Sequence, residues 1–179
     1  MSNNIVVLSG SPRKNGNTER LAAAFVEGAQ SSGKNVKVFR TADMNIGGCR
    51  GCEYCYIEPG VCVQKDDMPQ ILEALKTADA IVFVSPVYYF DMSAQLKLAI
   101  DRTFALLKVD VPIKRAAFLM TCGDDSEKVA DGAVVTYSSI CEYLKWEDAG
   151  VIIVTGLEKP GDIDERPEIE SARTLGADI

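Results

Sequence analysis

Histidine is absent from all 179 residues of this chain. The imidazole that most often binds metals and moves protons near neutral pH is therefore unavailable. Any soft metal must be held by thiolates, and proton delivery falls to water or a tyrosine. Long apolar runs are missing as well. The longest fall far short of the roughly 18 residues that a membrane-spanning helix needs. An excess of basic charge is also lacking. Lys and Arg number 19 against 26 Asp and Glu, for a formal net charge of -7. That balance argues against a nucleic-acid partner, favours solubility and tolerates a basic protein partner. Residues 1–4 show no basic region or cleavage site, so secretion is not expected and a cytoplasmic location is. In that reducing compartment the six cysteines read as ligands or free thiols rather than disulfides.

Hydrophobic residues make up 47% and charged residues 25%, the balance of an ordinary globule. The length fits a single domain over residues 1–179. Ile5, Val6, Val7 and Leu8 form a continuous apolar run, the mark of a strand buried on both faces. The run from Ala80 to Val84, that from Ala116 to Met120 and that from Val151 to Val154 read the same way. Val36 to Phe39 alternates weakly, as an edge strand does. Helices are expected from Asn17 or Thr18, after Asp66-Asp67, after a Ser93 cap, near Glu127 to Trp146, and near Pro167 to Leu175. Strand and helix thus alternate five times. The expectation is an α/β three-layer sandwich whose five parallel strands run in the flavodoxin-like order 2-1-3-4-5. The apolar fifth strand, placed at an edge, calls for cover from the terminal segment or a partner subunit.

The turn after the first strand has a definite chemistry. Ser9, Ser11, Asn17 and Thr18 offer side-chain donors, Arg13 a forked cation, and Gly10 and Gly16 allow close backbone approach. The turn leads into a helix N-terminus, where free N–H groups attract an anion. Neither the G-x-x-x-x-G-K-[ST] nor the G-x-G-x-x-G pattern is present. Neutral hydroxyls without a magnesium signature suit a terminal phosphomonoester such as that of FMN. The plain alternative is a polar strand-to-helix turn with a good cap.

Residues 40–65 carry no periodicity, and a loop this long in a compact domain is usually functional. Within it, at about residues 45–65, lie Cys49, Cys52, Cys55 and Cys62, spaced C-x2-C-x2-C-x6-C. Three thiols in seven residues resemble the ligand run of a bacterial [4Fe–4S] cluster. Pro59-Gly60 is a turn signal able to bring Cys62 back to a fourth iron. Zinc fits less well, because four-cysteine zinc sites usually use two separated pairs. Free thiols without metal are the third reading.

The stretch SGSPRKNGNT, then SPVYYFDMSAQLKLAIDR, resembles the NADPH-dependent FMN reductase superfamily of flavodoxin-like proteins. With the cysteine run and the Lys65-Asp66-Asp67-Met68 that follows, the chain is most similar to its iron-sulfur flavoprotein branch. The resemblance implies FMN, with its phosphate on the first loop. It implies that Pro86, Val87, Tyr88 and Tyr89 line the ribityl chain and ring, and that Thr121, Cys122, Gly123 and Asp124 bring donors to the ring's polar edge. Tyr88 or Tyr89 can stack on the ring; ordinary packing at a strand end is the competing account. Cys122 reads as a small filler and Cys141 as core. The expected activity is an FMN-dependent oxidoreductase or electron-transfer flavoprotein, with electrons passing between a [4Fe–4S] cluster and FMN to a small acceptor. The flavin carries the chemistry, so no catalytic side chain is expected. The alternatives are a cluster-free NAD(P)H-dependent FMN or quinone reductase and a non-enzymatic carrier like flavodoxin. A ferredoxin-type donor, NAD(P)H as donor, and a homodimer or homotetramer complete the expected partners.

Overall fold

A computed structural model describes residues 4–179; the expectation that residues 1–4 carry no cleavage site falls mostly on residues 1–3, which lie outside them. In chain order the elements are β1 (Asn4–Ser9), α1 (Asn17–Ser31), β2 (Asn35–Arg40), the single turn α2 (Tyr54–Ile57), α3 (Met68–Leu75), β3 (Ala80–Tyr88), β4 (Asp91–Met92), α4 (Ala94–Arg102), β5 (Arg115–Thr121), α5 (Asp131–Leu144), β6 (Glu147–Val154) and α6 (Glu168–Asp178). Five strands form a parallel sheet in the order β2-β1-β3-β5-β6, and β4 pairs with β3 off that path. The expected order therefore holds, with one addition. β3 runs on past the sheet to Tyr88 and folds back antiparallel through Val87–Met92 and Tyr88–Asp91 pairs, which makes the sheet six-stranded.

Side chains along each strand alternate between two cores. Ile5, Val7, Val82, Val84, Ala117 and Leu119 pack under α1 and α6. Val6, Leu8, Ile81, Phe83, Phe118 and Met120 pack against α3, α4 and α5. Burial on both faces is why the central strands are uniformly apolar. β2 buries only Phe39 of its hydrophobic residues and is an edge, as its weak alternation suggests. The apolar β6 gains its cover on one face from α6: Ile152 shares that core with Ile169 and Leu175. α6 approaches α1 unusually closely. A Cβ on Gly28 would strike the Arg173 backbone, and one on Gly176 would strike that of Phe25.

Local chemistry explains the boundaries. Ser93 caps α4 as expected, accepting from the Leu96 amide at 3.4 Å. Asp67 precedes α3 without a side-chain cap; Asp66 does that work instead, accepting from the Met68 amide at 3.2 Å. The helix expected from Glu127 to Trp146 splits. A 3-10 turn covers Glu127–Ala130 before α5 begins, and Lys145 ends the helix at φ 58°. The β3–β4 turn is made by Tyr89 and Phe90, both with positive φ (53° and 69°). Two-residue turns of this kind normally use Asn-Gly, because a side chain there is strained. Gly132 in α5 accommodates this turn, since a Cβ there would lie 2.6 Å from the Phe90 carbonyl oxygen.

Candidate functional site

Ligands of such sheets bind beyond the carboxyl ends of the strands, beside the point where strand order reverses. A cleft of about 240 Å³ opens there. The first loop contributes Ser11, Arg13, Gly16, Asn17 and Thr18. Its position follows from short backbone bonds. Gly10 N–H donates to the Val84 carbonyl at 2.8 Å, and Ser93 Oγ donates to the Gly10 carbonyl at 2.8 Å. α1 then opens on Gly16 in an extended conformation, with no side-chain cap. The amides of its first turn are thus left for a ligand. Ser11 is buried, and its Oγ accepts from the Arg13 amide at 3.3 Å. Arg13 is exposed at the rim.

The second and third loops supply the opposite wall. Pro86, Val87 and Tyr88 line it from β3, and Thr121, Cys122 and Gly123 from the end of β5 and the loop after it. Thr18 and Thr121 meet across the floor, their hydroxyl oxygens 2.6 Å apart and buried. Ser9 lies buried at the end of β1, and its Oγ has no hydrogen-bond partner among the described residues. Three expected residues fall outside the lining, the buried Ser9 among them. Tyr89 is 98% exposed on the strained turn, its ring 6.2 Å from that of Phe90. Asp124 turns to its own loop and accepts from the Ser126 amide at 2.8 Å. Cys122 is buried; burial, then the nearby Asp124 carboxylate, pushes its thiol up, so it stays neutral.

Sequence reasoning missed a fourth loop. Leu157, Glu158 and Pro160, after β6, also line the cleft. Asn17 ties that loop down: its Nδ2 donates to the Lys159 carbonyl at 2.8 Å, and its Oδ1 accepts from the Gly161 amide at 2.9 Å. The signal was available, because this loop too leaves the carboxyl end of a strand.

The cysteine loop forms a second feature. Cys49 and Cys52 are exposed, Cys55 and Cys62 half-buried, and all are free thiols. All four line one cavity of about 390 Å³. Among the described residues, no group of three or more His, Cys, Asp or Glu is placed to hold a metal ion. Pro59-Gly60 forms a turn, with Gly60 at φ 84° and its N–H bonded to the Ala105 carbonyl at 2.9 Å. Tyr56 packs edge-on against Phe104 at 5.7 Å. At the neck of the loop, Asn45 and Asp67 exchange two bonds, of 3.0 Å and 2.8 Å. A larger groove, about 850 Å³, lies elsewhere, lined by Phe104, Lys114, Val135, Tyr143 and Trp146. Lys114 and Trp146 immediately precede β5 and β6, so this groove borders the amino ends of the strands.

The model of a family described as NADPH-dependent FMN reductase matches residues 3–138. An iron-sulfur flavoprotein of Archaeoglobus fulgidus is 38% identical over 97 residues, which is 54% of this chain and 44% of that protein. Another from the same organism is 32% identical over 152 residues, 85% of this chain and 75% of the relative. The chain spans about half the length of several such relatives, 44% and 51% in two archaeal cases. A putative NAD(P)H-dependent FMN-containing oxidoreductase, YwqN of Bacillus subtilis, is 26% identical over 89% of this chain and 88% of its own length. Among solved structures, an NAD(P)H:quinone oxidoreductase from Methanothermobacter marburgensis shares the fold at a TM-score of 0.75. It is 21% identical, over 99% of this chain and 96% of the other.

Proposed function

The chain belongs to the NADPH-dependent FMN reductase family, in its iron-sulfur flavoprotein branch, and from that premise we propose that it is an FMN-dependent oxidoreductase. The observation that carries this reading is the uncapped first turn of α1, opening into a cleft of hydroxyls. The donor set fits a phosphomonoester. Ser11 and the Thr18–Thr121 pair supply neutral donors, Arg13 supplies charge at the rim, and the unpartnered Ser9 hydroxyl lies at the strand end beneath the loop. Pro86, Val87 and Tyr88 form an apolar wall for the rest of the molecule, and the chain at Cys122 and Gly123 borders its polar edge. FMN, when bound, supplies hydride or single-electron transfer. The protein's part is to anchor the phosphate, orient the ring and keep Cys122 protonated and inert beside it. Tyr88, 41% exposed at the mouth, is placed to cover the ring, while Tyr89 reaches outward to an acceptor or a second subunit.

The four cysteines around one cavity support a [4Fe–4S] cluster as a second centre, which would supply one-electron transfer. Its donor is then a ferredoxin-type protein and its acceptor a small molecule such as oxygen, peroxide or a quinone. The exposure of Cys49 and Cys52 favours the second reading, a cluster-free reductase fed by NAD(P)H. The apolar groove beside α5, with Val135 64% and Tyr143 71% exposed, supports self-association as a homodimer or homotetramer. Among the described residues no helix is long and apolar enough to cross a membrane, in keeping with the cytoplasmic location we assign.

Anaerobic purification with counts of FMN, iron and sulfide per chain separates these readings. FMN with iron and sulfide supports the two-centre protein. FMN without iron, bleached rapidly by NAD(P)H, supports the reductase. Failure to bind FMN, or equal affinity after Ser11→Ala and Thr18→Ala together, refutes the flavin reading.

A further inference from the structure

The cysteine loop is closed at its neck by a buried ion pair that flavin binding does not explain. Arg102, the last residue of α4, is 2% exposed. Its Nη1 donates to Asp66 Oδ2 at 2.7 Å and to the Gly47 carbonyl at 2.7 Å, and its Nη2 donates to Asp66 Oδ1 at 3.1 Å. Asp66 Oδ2 also accepts from the Gly47 amide at 3.1 Å. Gly47 stands just before Cys49, and Asp66 follows Cys62. One guanidinium therefore joins the two ends of the ligand loop.

That clasp has an electrical side. Arg102 lines the cavity that the cysteines surround, and Asp66 does not. The guanidinium shares that cavity wall with Cys62, and its buried Nε has no hydrogen-bond partner among the described residues. The remaining charges around the cavity are weaker influences. Arg50 and Glu53 are exposed and screened by water, and the exposed Asp101 is paired with Lys97 at 2.6 Å. Four thiolates around a cluster carry net negative charge that grows on one-electron reduction. A buried cation beside one of them stabilises the reduced form more than the oxidised form.

We propose that Arg102 is a positioning residue that shuts the cysteine loop and holds a buried positive charge at the wall of the cavity the four cysteines line, raising the reduction potential of the centre held there. The inference rests on the cluster reading above. The bonds to Asp66 and Gly47 set the loop's shape, and the charge at the cavity wall sets the potential. Asp66, which does not line the cavity, opposes that effect.

The test is anaerobic reconstitution of the full chain with ferrous iron and sulfide, followed by spectroelectrochemical titration with dithionite. Wild type, Arg102→Gln, Arg102→Lys and Asp66→Asn are compared, with FMN content measured on each. Arg102→Gln keeps donors but loses the charge, and its cluster should be about tenfold harder to reduce, ~59 mV more negative. Arg102→Lys should recover most of that shift, and Asp66→Asn should move the potential the opposite way. A merely structural clasp lowers iron content or melting temperature in these variants without moving the potential of the loaded fraction. Loaded Arg102→Gln at the wild-type potential therefore overturns the proposal. Should Arg102→Gln fail to load, an unmoved potential in Asp66→Asn overturns it equally. A wild type that binds FMN but takes up no iron overturns the cluster reading and this inference with it, and leaves the flavin reading standing.

Discussion

Replacing Thr18 by valine removes half of a buried pair and tests how the cleft floor is built. The Thr18 and Thr121 hydroxyl oxygens lie 2.6 Å apart, and the residues are 3% and 4% exposed. Valine keeps the branched shape and deletes only the polar atom. The surviving hydroxyl is then buried without its partner, a cost of about 1–3 kcal/mol. Replacing both threonines leaves no orphan and comes close to neutral. The expected pattern is therefore non-additive. Each single variant loses about 1–2 kcal/mol in urea unfolding of the flavin-free protein, and the double variant loses clearly less than the sum. The same variants titrated with FMN report the second role of the pair. A hydrogen bond to a charged phosphate is worth about 1.5–3 kcal/mol, so losing it weakens affinity ~10–100-fold. Additive destabilisation would refute the buried pair. Unchanged FMN affinity in both single variants would refute the placement of the phosphate above it.

Three further outcomes follow from the fold. Tyr137 is fully buried and donates to Asp148 Oδ1 at 2.7 Å. Burial first, then that bond to Asp148, pushes its phenol far up, so its stabilisation is complete below the ordinary tyrosine value of about 10 and drains away as pH rises beyond it. Tyr137→Phe should cost about 1–2 kcal/mol at pH 8 yet lose stability less steeply than wild type toward pH 11; parallel profiles would contradict this. Tyr89→Asn with Phe90→Gly relieves two positive-φ side chains, for a gain of about 1 kcal/mol after the entropy of glycine. Its melting temperature should rise, and a fall would show that the aromatic turn is held by contacts stronger than its strain. Gly176→Ala sets two effects against each other. Helix propensity favours alanine by ~1 kcal/mol, but the new methyl meets the Ala29 amide nitrogen at 2.9 Å, so overpacking of about 1–3 kcal/mol should win and thermal unfolding should come earlier.

Much of this arrangement is legible in particular residues. Continuous apolar runs mark β1, β3 and β5 because each strand is buried on both faces. Ser93 is readable as a cap because its hydroxyl meets an amide three residues away. The first loop is readable because strand, glycines and helix start are contiguous. β4 is not, since a two-residue strand has no periodicity. Nor is the break before α5, where Gly132 answers to the Phe90 carbonyl. Asn17 reads as a phosphate donor by its position, and only the fold reveals that residues 159–161 claim its side chain.

The amino-acid order by itself determined the βα alternation, the parallel sheet, the anion-seeking turn and the cluster of thiols, because each depends on groups within a few residues of one another. The tertiary structure alone decided which loops share a wall, that Thr18 meets Thr121, that all four thiols open on one cavity, and that Arg102 is buried beside them. Those outcomes depend on helix packing and strand order, which bring together side chains such as Thr18 and Thr121, 103 residues apart; no local pattern encodes a distance of that kind.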